Sequence, residues 1–272
     1  MARKNVTMPK ALLYFFLILP LSAEQIKVYA LKYGESLFPA HKIDIKQPKN
    51  KLFPFVWLMY LVRIERADFT ENILIDTGFT QKGYARPNGV KKLRTAKQLL
   101  KGLRLKPGNI HKVVLTHTHF DHLGGLHQFQ NATVYLQKKE FDWFSRKPYS
   151  KSFLKMLKDF RKRGKIKWSS INYRLNSYIH LKRIGAHTPG SQSVLIKTQK
   201  KSIFLIGDDC YYIKTCEIGR SSAVISSKSR LRRLQHFIHK RRNQGNFSIK
   251  TFHDPKVLKG AKKIGDGIYQ IY

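Results

Sequence analysis

Within six residues, His117-Thr118-His119-Phe120-Asp121-His122, the chain sets three imidazoles and one carboxylate. Neutral imidazole nitrogens and hard carboxylate oxygens are the donors that hold zinc and similar divalent ions. The run follows the apolar Val113-Val114-Leu115, so its donors stand at the end of a buried strand. In extended backbone, alternation points His117 and His119 the same way. Asp121 and His122 are adjacent and should diverge, which is awkward around one ion and natural around two. Gly124-Gly125 then let the backbone turn closely beneath the site. A solvated His-rich loop is the plain alternative, and the density of donors beside an apolar strand argues against it.

His117-x-His119-x-Asp121-His122 resembles the signature of the metallo-β-lactamase-fold hydrolases, and further landmarks of that family follow in order. Leu74-Ile75-Asp76-Thr77-Gly78 resembles the strand whose Asp lies beneath the metal site. Ala186-His187-Thr188-Pro189-Gly190-Ser191 resembles the His-Thr-Pro-Gly turn. Phe204-Leu205-Ile206-Gly207-Asp208 resembles the apolar strand that ends in a metal-bridging Asp. Phe252-His253-Asp254 resembles the last His after a strand. The match covers roughly residues 26–258. It implies one ion on His117, His119 and His187, a second on Asp121, His122 and His253, Asp208 bridging them, and Asp76 orienting a ligand.

Within the family the chain is most similar to the N-acyl-homoserine lactonases. Phe120 inside the first motif, Gln192-Ser193 after the Thr-Pro-Gly turn and Tyr211 three residues after Asp208 carry that likeness. The resemblance implies a small lactone substrate and two divalent ions, zinc by preference. Two cations depress the pKa of a water they share and supply a nucleophile near neutral pH. Tyr211 would then donate to the carbonyl oxygen and Asp121 would protonate the leaving ring oxygen. Tyr212 competes with Tyr211, and Asp209 with Asp208. Cys210 reads as a small packed residue, though a thiolate could also bind zinc. There are two departures: Ser191 stands where lactonases often carry a second His, and Ala186 where Gly is usual. Glyoxalase-II-like thioesterases share nearly all these motifs and are the nearest rival. A true β-lactamase fits less well, since those enzymes lack the bridging Asp.

These residues need strands to position them. Ile26–Leu31, Phe53–Ile64, Glu71–Ile75, Lys112–Leu115 and Thr133–Leu136 read as strands in the first half. The second of these is apolar throughout and should be buried on both faces. Leu181–Ile184, Ser193–Thr198, Lys201–Ile206 and a final strand, Ile249–Phe252, follow in the second half. Gln199-Lys200 is the tight turn of a hairpin. Thr95–Leu105, Lys138–Phe144, Phe153–Arg163 and Arg230–Arg242 read as helices. Strands in both halves with helices between and after them suit a layered α/β domain. With the resemblance, the expected fold is a four-layer αββα sandwich of two mixed sheets, one domain over residues 24–272.

Residues 1–23 carry Arg3, Lys4 and Lys10, an apolar run from Ala11 to Leu21, and then Ser22-Ala23. That pattern reads as a signal for export to the periplasm or the medium. Cys210 and Cys216, six apart, either pair or remain two free thiols. Among 272 residues there are 53 Lys and Arg against 16 Asp and Glu, a net charge of +37. With 42% hydrophobic residues the composition is that of a globular protein, which excludes a disordered basic tail. Such a charge invites a polyanion-binding reading, a nuclease of this fold included, with Arg161–Lys167 and Arg230–Arg242 as contact faces. However, five of the scarce acids, Asp76, Asp121, Asp208, Asp209 and Asp254, fall in the landmark segments. The cationic excess therefore reads as a coat over a small-substrate hydrolase. It would favour electrostatic association with an anionic envelope surface, with no specific nucleic-acid partner.

Overall fold

The computed structural model describes residues 24–146 and 148–272, so the segment read as an export signal lies outside the described residues. Strands β1 (Gln25–Pro39), β2 (Leu52–Glu65), β3 (Thr70–Ile75), β4 (Lys112–Val114), β5 (Thr133–Gln137) and β6 (Ile166–Ser169) build most of the first sheet. Strands β7 (Asn172–Arg174), β8 (Ile179–Arg183), β9 (Gln192–Lys197), β10 (Ser202–Leu205) and β11 (Phe247–Lys250) form the second. The chain then returns to the first sheet as β12 (Lys262–Gly265) and β13 (Ile268–Gln270), beside β1. Both sheets are mixed: β3 to β6 run parallel after an antiparallel start, and β11 pairs parallel with β10. The helices are α1 (Ala40–Ile43), α2 (Lys82–Ala85), α3 (Ala96–Gly102), α4 (Phe120–Leu123), α5 (Lys138–Arg146), α6 (Lys151–Lys162), α7 (Ile213–Glu217) and α8 (Lys228–Arg241).

The apolar pattern of β2 produces the layering. Trp57, Met59 and Leu61 face helices α3, α5 and α6, where they meet Leu99, Phe141, Phe144 and Leu157. The alternate residues Leu58, Tyr60 and Val62 face the second sheet and pack on Leu181, Val194, Ile196 and Leu205. Both sets are buried, as the continuous apolar run predicts. A third cluster lies under α8, where Leu234 and Ile238 cover Phe204 and Ile206 on the outer face of the second sheet. Three apolar interfaces between four layers give the αββα sandwich expected from the sequence. Each side chain of this kind removed from water contributes roughly 1.5–3 kcal/mol.

Differences from the sequence reading are local. β1 runs well past Leu31 to Pro39 and pairs with β2 along its whole length, with an irregularity at Lys32–Gly34. Ile249–Phe252 is not the last strand, because β12 and β13 follow it. Thr95 caps α3 instead of lying within it: its side chain accepts from the Gln98 backbone N–H while the Gln98 side chain returns to Thr95 N. The outer helices carry the charge. α6 buries Phe153, Leu157 and Phe160 and exposes five bases, and α8 buries Leu231, Leu234 and Ile238 without one acidic residue in its length.

Candidate metal centre

Every landmark residue follows the C-terminal end of a strand, on one edge of the sandwich. Asp76 follows β3, His117 to His122 follow β4, His187 follows β8, Asp208 follows β10 and His253 follows β11. Open α/β sheets place sites outside the carboxyl ends of their strands. The sheets are fastened together there: Gln192 N donates to Thr116 O at 2.9 Å, and the Gln192 amide donates to Leu115 O at 2.8 Å.

Two donor groups form. His117 Nε2 and His187 Nε2 lie 3.0 and 2.9 Å from His119 Nδ1. His122 Nε2 lies 3.1 Å from Asp121 Oδ2, and His253 Nε2 3.5 Å from the same oxygen. Asp208 stands between the groups. Its Oδ2 is 3.7 Å from both His117 Nε2 and His187 Nε2, while its Oδ1 is 3.3 Å from His122 Nε2 and 3.0 Å from His253 Nε2. The structure thus brings together all seven residues named as ligands, in two sets that share Asp208. Asp121 and His122 do not diverge as extended backbone would require. Residues 120–123 form the single turn α4, and a helical turn lets the two neighbours converge.

The residues present suit divalent ions. Ligands at about 2.0–2.1 Å around a tetrahedral zinc sit roughly 3.3 Å apart, close to the spacings here. His122 Nε2, His253 Nε2 and Asp208 Oδ1 are buried and have no hydrogen-bond partner among the described residues. Burying such atoms without a partner is costly, and an ion at each set would satisfy them. Three of the outward nitrogens are engaged: His122 Nδ1 with Asp76 Oδ2 at 2.7 Å, His187 Nδ1 with Val224 O at 2.8 Å, and His253 Nδ1 with Val56 O at 3.0 Å. A donor proton on Nδ1 leaves the inward Nε2 lone pair free. Burial and neighbouring imidazoles push His119 down to about 3 and His117 well below the ordinary imidazole value, which keeps both rings neutral.

Asp76 does more than orient His122. Its backbone is left-handed, with φ 62°, a conformation that costs a non-glycine residue on the order of 1 kcal/mol. It is held there because Oδ1 accepts from Thr116 N and Oδ2 from the Thr116 hydroxyl, both at 2.7 Å. Asp209 is not a surface acid. It is buried, and its Oδ1 accepts from Ala186 N at 2.8 Å, His187 N at 2.6 Å and the Ser191 hydroxyl at 2.8 Å. Burial pushes its carboxyl up to about 7. Ser191, at the position where lactonases often place a second His, therefore braces the His187 turn.

Glu140 and Tyr33 were missed in the sequence. Glu140, buried in the first turn of α5, accepts from Thr118 N and Oγ1 through Oε1, and from Thr188 Oγ1 and Gly190 N through Oε2. It sits in a plain charged run, Lys138-Lys139-Glu140, and only the apolar period of α5 marks it as inward-facing. Gly190 is required here, since a Cβ would lie 2.3 Å from Glu140 N. Tyr33 donates to Asp121 O at 2.7 Å, from a stretch of β1 that the sequence did not identify as strand.

Over the two donor sets lies a cavity of about 400 Å³ walled by Phe38, Phe55, Trp57, Phe120, Tyr149 and Tyr211. Tyr211 packs edge-on against His253 at 5.3 Å and His187 at 5.8 Å. Tyr212 turns away, stacking on Phe53 and donating its hydroxyl to Pro54 O. Cys210 and Cys216 are paired in a disulfide, which removes Cys210 as a metal ligand.

The fold and the site define the class: this is the metallo-β-lactamase fold with a His/Asp site at its strand ends. Residues 57–154 match the family model described as the metallo-beta-lactamase superfamily. An N-acyl homoserine lactonase, AttM, of Rhizobium radiobacter is 27% identical over 183 residues, 60% of this chain and 65% of that protein, just under two thirds of its length. A solved N-acyl homoserine lactone hydrolase with N-hexanoyl-L-homoserine at its catalytic metal centre superposes with a TM-score of 0.69 at 22% identity, over 86% of this chain and 95% of that one. A dizinc quorum-quenching lactonase, AidC, gives 0.67 at 16% identity, over 87% and 90%.

Proposed function

We propose that this chain is a metal-dependent hydrolase that opens the lactone ring of N-acyl homoserine lactones. The observation that carries the reading is Asp208, which turns one oxygen to each donor set at the floor of an aromatic cavity. His117, His119 and His187 would hold one divalent ion, Asp121, His122 and His253 the other, and Asp208 both, with zinc the ion that suits the donors. When bound, the ions would acidify a water and polarise the substrate carbonyl.

The protein's own groups do the rest. The aromatic walls bind the acyl chain and exclude water. The Tyr211 hydroxyl, with no partner among the described residues, donates to the carbonyl oxygen as charge builds there. Asp121, between His122 and His253, would take up the proton that the attacking water gives up and pass it to the ring oxygen as that oxygen leaves. Asp76, through His122, fixes the direction of one imidazole. The lactonase names of the relatives support the substrate class.

The test is a panel of an acyl homoserine lactone, a thioester and a β-lactam, with metal-loaded and metal-stripped protein. Lactone opening that needs metal is expected. Thioester cleavage without lactone opening would overturn the substrate and keep the site.

We also propose export. The N-terminal pattern supports it, as does the disulfide, since such bonds persist in oxidising compartments. Recovery of the protein only from the cytosol of its source cell would count against it.

A further inference from the structure

A second cavity, of about 360 Å³, opens between β8 and α8 on the outer face of the second sheet. Lys182 and Arg183 line it from the strand and Arg230 and Arg233 from the helix. No acidic residue lines it, and none of the four cations forms an ion pair among the described residues. Four like charges around one small volume repel one another, and among the described residues they meet only neutral groups, such as Gly185 O, which accepts from Arg230 at 3.3 Å. The floor is different in kind. Phe204 and Leu234 are buried beneath it and Phe237 is half-buried, with Lys182 Nζ 5.8 Å from the Phe237 ring centre. A bare inorganic anion has no use for such a floor, whereas an anion on an apolar body does. At the rim Ile171 is 54% exposed, an apolar side chain beside four cations.

We infer that this cavity takes the phosphate headgroup of an anionic phospholipid, with Ile171 entering the acyl boundary. Guanidinium forks match phosphate oxygens in pairs, and bases beside an anionic leaflet add attraction that falls away within a Debye length. The opposite outer layer offers a contrast. Helix α6 exposes as many bases, but the cavity beside it is also lined by Asp159. A flat membrane can meet only one outer layer, and the cavity assigns it to α8. The lactone site is on the strand-end edge and is not part of this inference.

The experiment measures sedimentation of the full chain with phosphatidylcholine vesicles, with and without phosphatidylglycerol. Lys182→Gln/Arg233→Gln is compared with Lys155→Gln/Lys158→Gln, which removes the same charge from α6. The first pair is expected to weaken binding to the phosphatidylglycerol vesicles by about tenfold or more, and the second by about twofold or less. Unchanged circular dichroism verifies the fold of both. Equal losses from both pairs would reduce the effect to overall charge and overturn the inference. Glycerol 3-phosphate binding, measured by calorimetry and lost in the first pair, without vesicle binding by the wild type, would overturn the lipid and assign a soluble phosphate ester.

Discussion

Glu140 accepts the hydroxyl proton of Thr188 at 2.7 Å across 48 residues of sequence. Its other oxygen accepts from Thr118 at 2.8 Å, so one buried carboxylate joins the loop of His117 and His119 to the turn of His187. Four donors converge on it and draw its carboxyl down, but burial outweighs them and pushes it up. Glu140→Gln would keep one acceptor oxygen and turn an NH2 group against existing donors. We expect a stability loss of about 1–3 kcal/mol and metal affinity lowered about 10- to 100-fold. Denaturant unfolding and metal titration check this, and a variant unchanged in both would show that the joint is dispensable.

Why Glu140 was illegible, when His117 was not, has a physical reason. Candidate ligands announce themselves by type and spacing, and the landmark motifs named the seven donors that the structure brings together. A supporting carboxylate has no spacing of its own, because its partners arrive from other elements. The same holds for Tyr33. It sits on the part of β1 that contains Gly34, Ser36 and Pro39, poor strand formers, and pairing with the apolar β2 overrides that preference. The late strands are short: β12 is a lysine-led strand at the sheet edge and β13 has only three residues, set between β12 and β1, so neither shows the apolar alternation that marks a strand. Asp121 and His122 were misread because a one-turn helix cannot be seen in a four-residue window.

Asp208 and Asp209 are neighbours with opposite expectations. Asp208→Asn would leave one good acceptor where two oxygens serve two donor sets, so metal content falls to one ion per chain or fewer and lactone opening is lost. In Asp209 all three donors reach Oδ1, while Oδ2 is buried without a partner among the described residues. Asp209→Asn keeps that acceptor and removes a buried charge, so both ions and the fold persist. Asp209→Ala loosens the His187 turn. Elemental analysis of the three variants separates them, and loss of metal from Asp209→Asn to the level of Asp208→Asn would refute the distinction.

Tyr211 and Tyr212 differ in where their hydroxyls go. Tyr212 is already committed to Pro54 O, and Tyr211 lines the cavity. Removing one donor to a developing oxyanion costs about 100-fold in kcat. Tyr211→Phe should lower kcat toward that extent with KM within about twofold, and Tyr212→Phe should leave kcat alone. A rise in KM without a fall in kcat would place Tyr211 in the walls only.

Glu35 offers a pH test away from the metal centre. Hydrogen bonds from Lys32 at 2.8 Å and Lys92 at 2.7 Å hold its carboxyl down at about 2. A lowered folded pKa gives stability that is present above the unfolded value near 4.5 and lost as pH falls through 2. The side chain is one-third exposed, so screening limits the effect to about 1 kcal/mol or less. Glu35→Gln should therefore be less stable than the wild type at neutral pH, with the gap closing toward pH 2. A gap that stays constant across that range would mean packing, not charge.

The disulfide lies directly behind Asp208 and Asp209. Cys210 pairs with Cys216 of α7, across six residues, and both are buried against Ile206, Leu234 and Ile238. The bond ties the segment that carries the shared carboxylate to the α8 layer. Closing a loop this short contributes about 2 kcal/mol through the unfolded chain. Cys210→Ser/Cys216→Ser should lower stability by that amount, and mild reduction of the wild type should do the same. The seven candidate ligands come from four strand ends, so the loss should appear first in stability and only slightly in metal content at saturating ion. Reduction that strips both ions while the fold stays intact would instead make the disulfide part of the metal-binding apparatus.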